Sequence, residues 1–291
     1  MAVKFFGQFL IEQGVVTHAG LLKAIGLQEE TNRKIGAVVF EMGMMTQVEI
    51  AKVHQSQRNE DKRFGDKAVE MGFLTEEQLQ QALLCQRNSH IYIGEALVKT
   101  GGLGKEDLEK YLIQFKENQR PYTVEKIELP IGVANQSIWE MVADLTNKML
   151  IRVAEMSFRA GPCQIIEQLP TRTMVAEIGF SGSVSARYLL TTSQNSRKII
   201  ARAILQESDV DNESVEVLDD SVMEFINIVC GNIAAKAAQS GFQIDISPPI
   251  THNPSDCGLP VPEKHTGLMF PIYLSDGEIF ELAIFINNDP A

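Results

Sequence analysis

The sequence predicts an α+β protein in which an all-α region precedes a mostly antiparallel sheet with long helices on one face. Three observations lead to this prediction. Glycines recur every 29 residues in the first third of the chain. Beyond about residue 121 that period gives way to strand-like alternation. A long helical pattern then runs from about 216 to 240. Helices segregated to one face of an antiparallel sheet form the usual α+β arrangement.

The first third of the chain contains an internal repeat. Gly7, Gly36, Gly65 and Gly94 are spaced by 29 residues, and so are Gly14, Gly43, Gly72 and Gly101. The segments between them read "GQFLIEQG", "GAVVFEMG", "GDKAVEMG" and "GEALVKTG". A fixed period of this length is typical of repeat architectures. We therefore expect four 29-residue helix-turn-helix copies, numbered one to four in chain order.

Local chemistry explains the spacing within each copy. The first glycine begins a short helix, and the second suits the left-handed residue that follows a helix end. Thr17, Thr46 and Thr75 cap the second helices, with Gly104 in the fourth place, and Thr46–Glu49 and Thr75–Gln78 fit the capping box. The copies close with Gln28, Gln57, Gln86 and Phe115. We expect the copies to stack into one continuous core.

The sequence of the remaining two thirds of the chain predicts one α+β domain. Residues 138–150 have helical periodicity, and "IRVAEMSF" alternates like a strand. Two hairpins are expected, one through "FSGS" and one through "SDGE". Between them, a helix over "NSRKIIARAILQ" is expected to begin at Asn195 or Ser196, and the long helix ends at "SGF". The expected organisation is 1–119 repeats, 120–125 linker and 126–291 second domain.

Composition excludes several classes of function. The chain has 291 residues and a formal net charge of −12, without a lysine- or arginine-rich block. Non-specific binding to nucleic acid or to an anionic membrane requires positive potential, so neither is expected. The four cysteines lack paired C-x-x-C spacing and the five histidines lack ligand spacing, so no metal site is predicted. Without an apolar stretch of about 20 residues or a signal peptide, we expect a cytoplasmic protein.

The long helix carries a polar stripe. Residues placed at 100° steps put Val222, Phe225, Ile226, Val229 and Ile233 on the side that faces the sheet. On nearly the opposite side lie Asp220, Glu224, Asn227 and Gly231. The spacing alone is also that of an ordinary solvated helix face, so the context of the stripe decides its interpretation.

That context resembles a phosphatase family. Asp220-x3-Glu224-x2-Asn227, followed by Gly231 and by Pro248 and Pro249, is similar to the signature of the CheC/CheX/FliY phosphatases. The resemblance runs from about 125 to 290 and includes "IWEMVADLTNKML" as first helix and "EIGFSGSVSARYLLTTS" as hairpin. On the first helix, Asp144 and Asn147 stand where some members have a second Glu-x-x-Asn site. One intact site is the pattern of the CheX branch.

The resemblance implies an enzyme of two-component chemotaxis signalling. Its substrate would be the aspartyl-phosphate of a CheY-like receiver, with Asn227 orienting the attacking water and Glu224 pairing with the receiver's lysine. Asp220 would be supportive, and Gly231 would give clearance for the partner. Mg²⁺ would belong to the receiver, so no cofactor is expected in this chain. The family also implies a homodimer.

The repeats resemble the MshEN repeats of secretion and pilus ATPases, in which tandem copies can bind cyclic di-GMP. Copy three, "RFGDKAVEMGFLTEEQLQQALLCQ", matches that pattern from Arg63 to Gln86. The arginine is replaced by Phe5 with Phe6, by Lys34 and by Tyr92 in the other copies, which removes bidentate phosphate contacts. A scaffold or protein-docking role is therefore favoured. If cyclic di-GMP binds, the candidate residues are Lys34, Gly36, Arg63, Gly65 and Gly72.

Two functions remain open from the sequence. In the first, the chain is a phosphatase whose repeats regulate or target it. In the second, the chain is a non-catalytic module that dimerises or docks, while the repeats sense cyclic di-GMP or a pilus or secretion partner.

Overall fold

The fold was analysed in a computed structural model, which describes residues 3–57, 60–122, 127–170, 172–252 and 258–289. The chain divides into two compact units, 1–122 and 123–291. Half of the predicted linker, 123–125, and one of the four cysteines, Cys257, lie outside the described residues. Within the described ranges, every helix is too short or too polar to span a bilayer.

The first unit is helical throughout its described length. Each predicted copy holds a short helix followed by a longer one. The helices are α1 (Phe6–Glu12), α2 (His18–Thr31), α3 (Ile35–Glu41), α4 (Gln47–Gln57), α5 (Phe64–Glu70), α6 (Glu76–Ser89), α7 (Ile93–Lys99) and α8 (Lys105–Gln119). A 3-10 turn, Arg120–Tyr122, follows α8.

The glycines have the two roles that their spacing predicts. Gly14, Gly43, Gly72 and Gly101 are left-handed, with φ of 69°, 66°, 73° and 77°, directly after the first helix of each copy. The other series lies where the two helices of a copy meet. A Cβ on Gly65 would lie 2.5 Å from a methyl carbon of Leu79. The glycine therefore permits the close approach of α5 and α6.

The sequence predicts that the copies stack into one continuous core, and this prediction was wrong. They form two pairs, copy one with copy four and copy two with copy three. Helix α2 packs on α7 and α1 on α8, while α3 packs on α6 and α4 on α5. Each pair has its own apolar cluster, with Phe9, Leu10 and Leu97 in one and Val39, Val53 and Ala68 in the other. Each copy buries its apolar face against a single partner.

The glutamines that close three of the copies hold these pairs together. Gln28 donates to the carbonyl of Ile91 (3.1 Å), Gln57 to Lys62 (2.9 Å) and Gln86 to Arg33 (2.9 Å). The three acceptors are themselves 29 residues apart. In copy four the ring of Phe115 packs on Phe6 and Phe9. There Gln119 accepts from the amide of Lys4 at 2.8 Å.

The second unit is built on an antiparallel sheet. Its strands are β1 (Phe158–Ala160), β2 (Gln164–Ile166), β3 (Gln168–Leu169), β4 (Met174–Gly182), β5 (Ala186–Thr192), β6 (Ile244–Ile246), β7 (Ile250–His252), β8 (Leu259–Pro260), β9 (His265–Leu274) and β10 (Ile279–Asn287). The main order is β1-β9-β10-β5-β4-β6, with β2 beside β9 and β7 beside β4. β3 and β8 form a separate ribbon. All these pairs are antiparallel, as predicted.

Three helices accompany the sheet: α9 (Gln136–Arg152), α10 (Gln194–Leu205) and α11 (Val215–Gln239). Their apolar residues share the main core with one face of the sheet. Trp139 of α9, Phe225 of α11 and Phe280 of β10 are at most 1% exposed. The opposite face holds a smaller cluster around Leu189 and Phe285. The predicted α+β class, with helices on one face, is confirmed.

Two local predictions for this unit were wrong. "IRVAEMSF" was expected to be a strand, but Ile151 and Arg152 complete α9 and β1 begins only at Phe158. The cap of α10 is Ser193, whose hydroxyl accepts from the amide of Ser196 at 3.1 Å. Asn195, an expected cap, instead pairs through its side chain with Asp276.

A buried polar network lies on the sheet face away from the helices. Glu177 of β4, 7% exposed, accepts from Arg187 of β5 at 2.6 Å and lies 2.6 Å from His252 of β7. Burial raises the pKa of Glu177, but hydrogen bonds and charge from Arg187 and His252 outweigh it and hold the pKa below its usual value. The carboxylate therefore ties the short edge strand β7 to the sheet.

Candidate functional site

The apolar side of α11 is fully buried, as its helical period predicts. Val222, Phe225, Ile226, Val229 and Ile233 each have 0% exposure and pack into the main core. Ser214 caps the helix by accepting from the amide of Val217 at 3.3 Å. This anchoring fixes which side of α11 faces outward.

The outward side of α11 carries the predicted polar stripe. Asp220, Glu224, Asn227 and Gly231 are all exposed. In the described part of the chain, the side chains of Glu224 and Asn227 make neither a hydrogen bond nor an ion pair. A carboxylate acceptor and a carboxamide with paired donor and acceptor are thus both available to another molecule. This pair is the candidate site.

Gly231 lies one turn beyond Asn227 in the interior of α11. A Cβ built there would meet nothing within 4 Å. Next to it, Asn232 is 8% exposed and its side-chain amide donates to the carbonyl of Ile228 at 2.9 Å. Glycine in a helix interior costs about 0.5–1 kcal/mol relative to alanine. The stripe therefore includes a destabilising residue that no contact within the described chain requires.

The corresponding pair on α9 is chemically different. Asp144 is exposed, but its carboxylate lies 2.6 Å from the ammonium nitrogen of Lys148, one turn further on. Asn147 is half-buried. The carboxylate of α9 is already neutralised within its own helix, whereas Glu224 is not. The fold thus distinguishes one available carboxylate–carboxamide pair from one occupied pair.

The nucleotide candidates of the first unit separate into two groups. Gly65 serves the fold at a helix contact and Gly72 through its left-handed backbone, whereas a Cβ on Gly36 would make only ordinary contacts at 3.5 Å or more. Lys34 and Arg63 are the residues that precede α3 and α5, and both are exposed. Cyclic di-GMP binding through these residues stays a prediction.

Sequence reasoning missed two features of these sites. The Asp144–Lys148 pair could have been found, because its i, i+4 spacing is that of a helix ion pair. The Glu177–Arg187–His252 network could not, because those residues are distant in sequence and meet only through strand pairing.

No curated protein matches this chain. Similar solved structures include a CheX protein from Desulfovibrio desulfuricans, with 16% identity, a TM-score of 0.46 and coverage of 52% of this chain and 99% of that one. A CheC-like protein from Shewanella sp. PV-4 has 19% identity, a TM-score of 0.47 and coverage of 53% and 99%. A CheX–CheY–BeF3–Mg²⁺ complex from Borrelia burgdorferi has 21% identity, a TM-score of 0.44 and coverage of 52% of this chain and 97% of that one.

The family comparison covers part of the second unit. Residues 174–273 match the model described as chemotaxis phosphatase CheX. The matched segment begins at β4, contains all of α11 with its exposed stripe, and ends within β9. It spans 100 of the 291 residues and lies wholly outside the repeats, so the MshEN resemblance is not confirmed. The match assigns residues 174–273 to the chemotaxis phosphatase CheX family.

Proposed function

We propose that this protein dephosphorylates the aspartyl-phosphate of a CheY-like receiver and so terminates a two-component signal. One observation carries the proposal. Glu224 and Asn227 are exposed and unpaired among the described residues, on one face of a helix inside the CheX-matched segment. Exposed Glu and Asn are ordinary on a solvated helix face, so it is their position within the CheX-matched segment that favours a partner-binding role.

Asn227 supplies the group that the chemistry needs. Hydrolysis of an acyl phosphate requires a water molecule in line with the bond that breaks. A carboxamide can orient that water through its paired donor and acceptor, as glutamine does in GTPases. Because the side chain of Asn227 makes no hydrogen bond within the described chain, both of its polar ends can serve this purpose.

Glu224 supplies a docking contact for the same reaction. Its carboxylate would pair with the lysine of the receiver's phosphorylation site and set the register of Asn227. Residues 123–291 contain 22 Asp and Glu against 11 Lys and Arg, so the receiver's lysine would meet an acidic domain. Mg²⁺ would be held by the receiver.

The repeats would regulate or target this activity. Their paired apolar clusters make a stable scaffold, and their function would lie in the residues left on the surface. Cyclic di-GMP, through Lys34 and Arg63, is the ligand that the MshEN resemblance suggests.

The proposal is tested by loss of radiolabelled phosphate from CheY-like receivers of the same genome. We expect the wild-type chain to accelerate the loss, and Glu224→Ala and Asn227→Ala to abolish the acceleration. Receiver binding is measured in parallel, because Asn227→Ala should remove the rate while retaining the complex. Binding without acceleration by the wild type would instead indicate a docking module. Light scattering of the same samples tests the homodimer that the family resemblance implies.

A further inference from the structure

The fourth copy of the repeat holds a groove between its two helices. The groove lies between α7 and α8 and has a volume of about 380 Å³. Pockets that bind small molecules have volumes of about 300–1,000 Å³, so the groove is large enough for one. Its apolar lining comes from Ile91, Val98 and Leu108. Ile91 is 7% exposed and belongs to the apolar cluster of copies one and four, so the groove is built on the core of that pair.

The charged residues that line the groove are separated by sign. Lys99 is the last residue of α7 and Lys105 is the first residue of α8, so both flank the turn that joins the helices. Glu95 and Glu109 also line the groove, each four residues further from that turn than the lysine of its own helix. Four residues of helix rise by about 6 Å. The groove therefore has a positive end and a negative end about 6 Å apart.

The other three copies neutralise the corresponding positions. In each of them a cation pairs with the glutamate eight residues further on. These pairs are Lys4–Glu12, Arg33–Glu41 and Lys62–Glu70. Copy four has Ile91 and Lys99 at the same two positions, so it lacks the cation and carries an ammonium group in place of the carboxylate. In the part of the chain that the structure describes, neither Lys99 nor Lys105 makes an ion pair.

The start of α8 also departs from the other copies. Lys105 stands where copy three has Glu76, although the first turn of a helix favours an acidic residue. The cap position is Gly104, which makes no side-chain hydrogen bond, whereas Thr17 and Thr75 cap their helices. Both departures adjoin the positive end of the groove. Sequences break such local rules most often at functional sites, so a binding role for this end is favoured over a structural one.

We propose that the groove binds a short apolar peptide of about two residues in its zwitterionic form. The peptide carboxylate pairs with Lys99 and Lys105, its ammonium group pairs with Glu109, and its side chains cover the apolar lining. Glu95 contributes less, because its carboxylate accepts from the amide of Tyr92 at 2.8 Å. Two extended residues span up to about 7 Å, which matches the separation of the charged ends, whereas a single amino acid is too short.

The test is titration calorimetry of the full chain with leucyl-leucine at low ionic strength, because salt screens exposed charges. Two analogues examine the ends of the peptide separately. N-acetyl-leucyl-leucine lacks the ammonium group, and leucyl-leucine amide lacks the carboxylate. Each is expected to bind the wild-type chain about three- to tenfold more weakly than leucyl-leucine, the usual effect of losing one polar contact.

Two variants examine the positive end of the groove. Lys99→Glu restores the residue of the other three copies, and Lys105→Glu restores that of copy three. Each is expected to weaken leucyl-leucine binding by at least about tenfold, because it places a like charge beside the peptide carboxylate. Lys23→Glu is the matched control, since Lys23 is exposed on α2, lies outside the groove and makes no ion pair within the described residues. It should bind as the wild type does.

Each outcome decides the inference. The expected result is binding that weakens with either analogue and with either groove variant, but not with Lys23→Glu. No heat of binding with leucyl-leucine at millimolar concentration would overturn the inference. Equal affinity for all three peptides would overturn it as well, because the charged ends would then play no part. The readout is binding and not phosphate release, so this inference stands or fails independently of the proposed phosphatase.

Discussion

The carboxylate of Asp144 lies 2.6 Å from the ammonium nitrogen of Lys148, whereas the side chain of Glu224 has no hydrogen bond or ion pair within the described chain. The two carboxylates are on neighbouring helices that pack against each other, α9 and α11. An incoming lysine must displace Lys148 to reach Asp144, but it can approach Glu224 directly. The two carboxylates are therefore unequal in their availability to a lysine of another molecule.

This inequality predicts a clear difference between variants. Glu224→Ala and Asn227→Ala should each lower the dephosphorylation rate by about 100-fold or more, the usual effect of losing a group that positions a reactant. Asp144→Ala should change it by less than about twofold, since an exposed ion pair contributes little. Phosphate release from one labelled receiver measures all three. Equal losses on α9 and α11 would contradict the assignment of a single site.

The repeat glycines predict opposite effects on stability. Gly65→Ala should lower the free energy of unfolding by about 1–3 kcal/mol, because its Cβ would overlap Leu79, which is 3% exposed. Gly36→Ala should be neutral or slightly stabilising, since its Cβ would lie 3.5 Å or more from its neighbours. Urea unfolding of the two variants measures this. A larger loss in Gly36→Ala would contradict the packing described for α3.

The glutamine contacts predict a graded effect. Gln57→Ala should lower the free energy of unfolding by about 1–2 kcal/mol. Gln57 is 6% exposed, and its loss leaves the carbonyl of Lys62 without this donor. Gln86→Ala should cost less, since its bond to Arg33 is exposed. Gln80→Ala is the control, because its exposed bond to Glu76 lies within one helix. Denaturant midpoints rank the three variants, and an equal loss of stability in Gln57→Ala and Gln80→Ala would show that the bond to Lys62 does not stabilise the first unit.

The network around Glu177 predicts a stability loss in acid. The folded pKa of this carboxyl lies below its ordinary value of 4.5, so its contribution to stability is fully present above about pH 4.5 and is lost as pH falls through the folded pKa. The difference in unfolding free energy between wild type and Glu177→Gln should shrink as pH falls from 6 to 3. Denaturant titrations at several pH values measure it. If this difference in unfolding free energy does not change with pH, the charge of Glu177 does not stabilise the fold.

Much of the candidate site could be predicted from the sequence because it is local. Residues at fixed spacing on one helix share a face wherever the helix lies, so the exposure of Asp220, Glu224 and Asn227 followed from the buried positions of Val222 and Phe225. The left-handed glycines were predictable for the same reason, since a left-handed residue just after a helix end is commonly glycine.

Two kinds of feature could not be predicted: contacts between residues distant in sequence, and helix ends at which neighbouring residues favour different structures. A 29-residue period states that copies are alike but not which copy packs on which, so the pairing of copy one with copy four was missed. "IRVAEMSF" has the β-branched residues typical of strands, yet packing of α9 on the core extends the helix to Arg152. At α10, Asn195 and Ser196 were the expected caps, but β5 ends at Thr192 and the helix begins at Gln194, so the residue between them, Ser193, is the cap.

The nested pairing of the copies restricts how this architecture can change in length. In a linear repeat array, one unit can be gained or lost at an end, because each unit contacts its sequence neighbours. Here the outermost copies contact each other, so deletion of copy one would expose the apolar face of copy four, including Leu97. A single inserted copy would likewise find no partner. Duplication and loss in such an array should therefore proceed by two copies at a time, and truncation from one end should yield insoluble fragments.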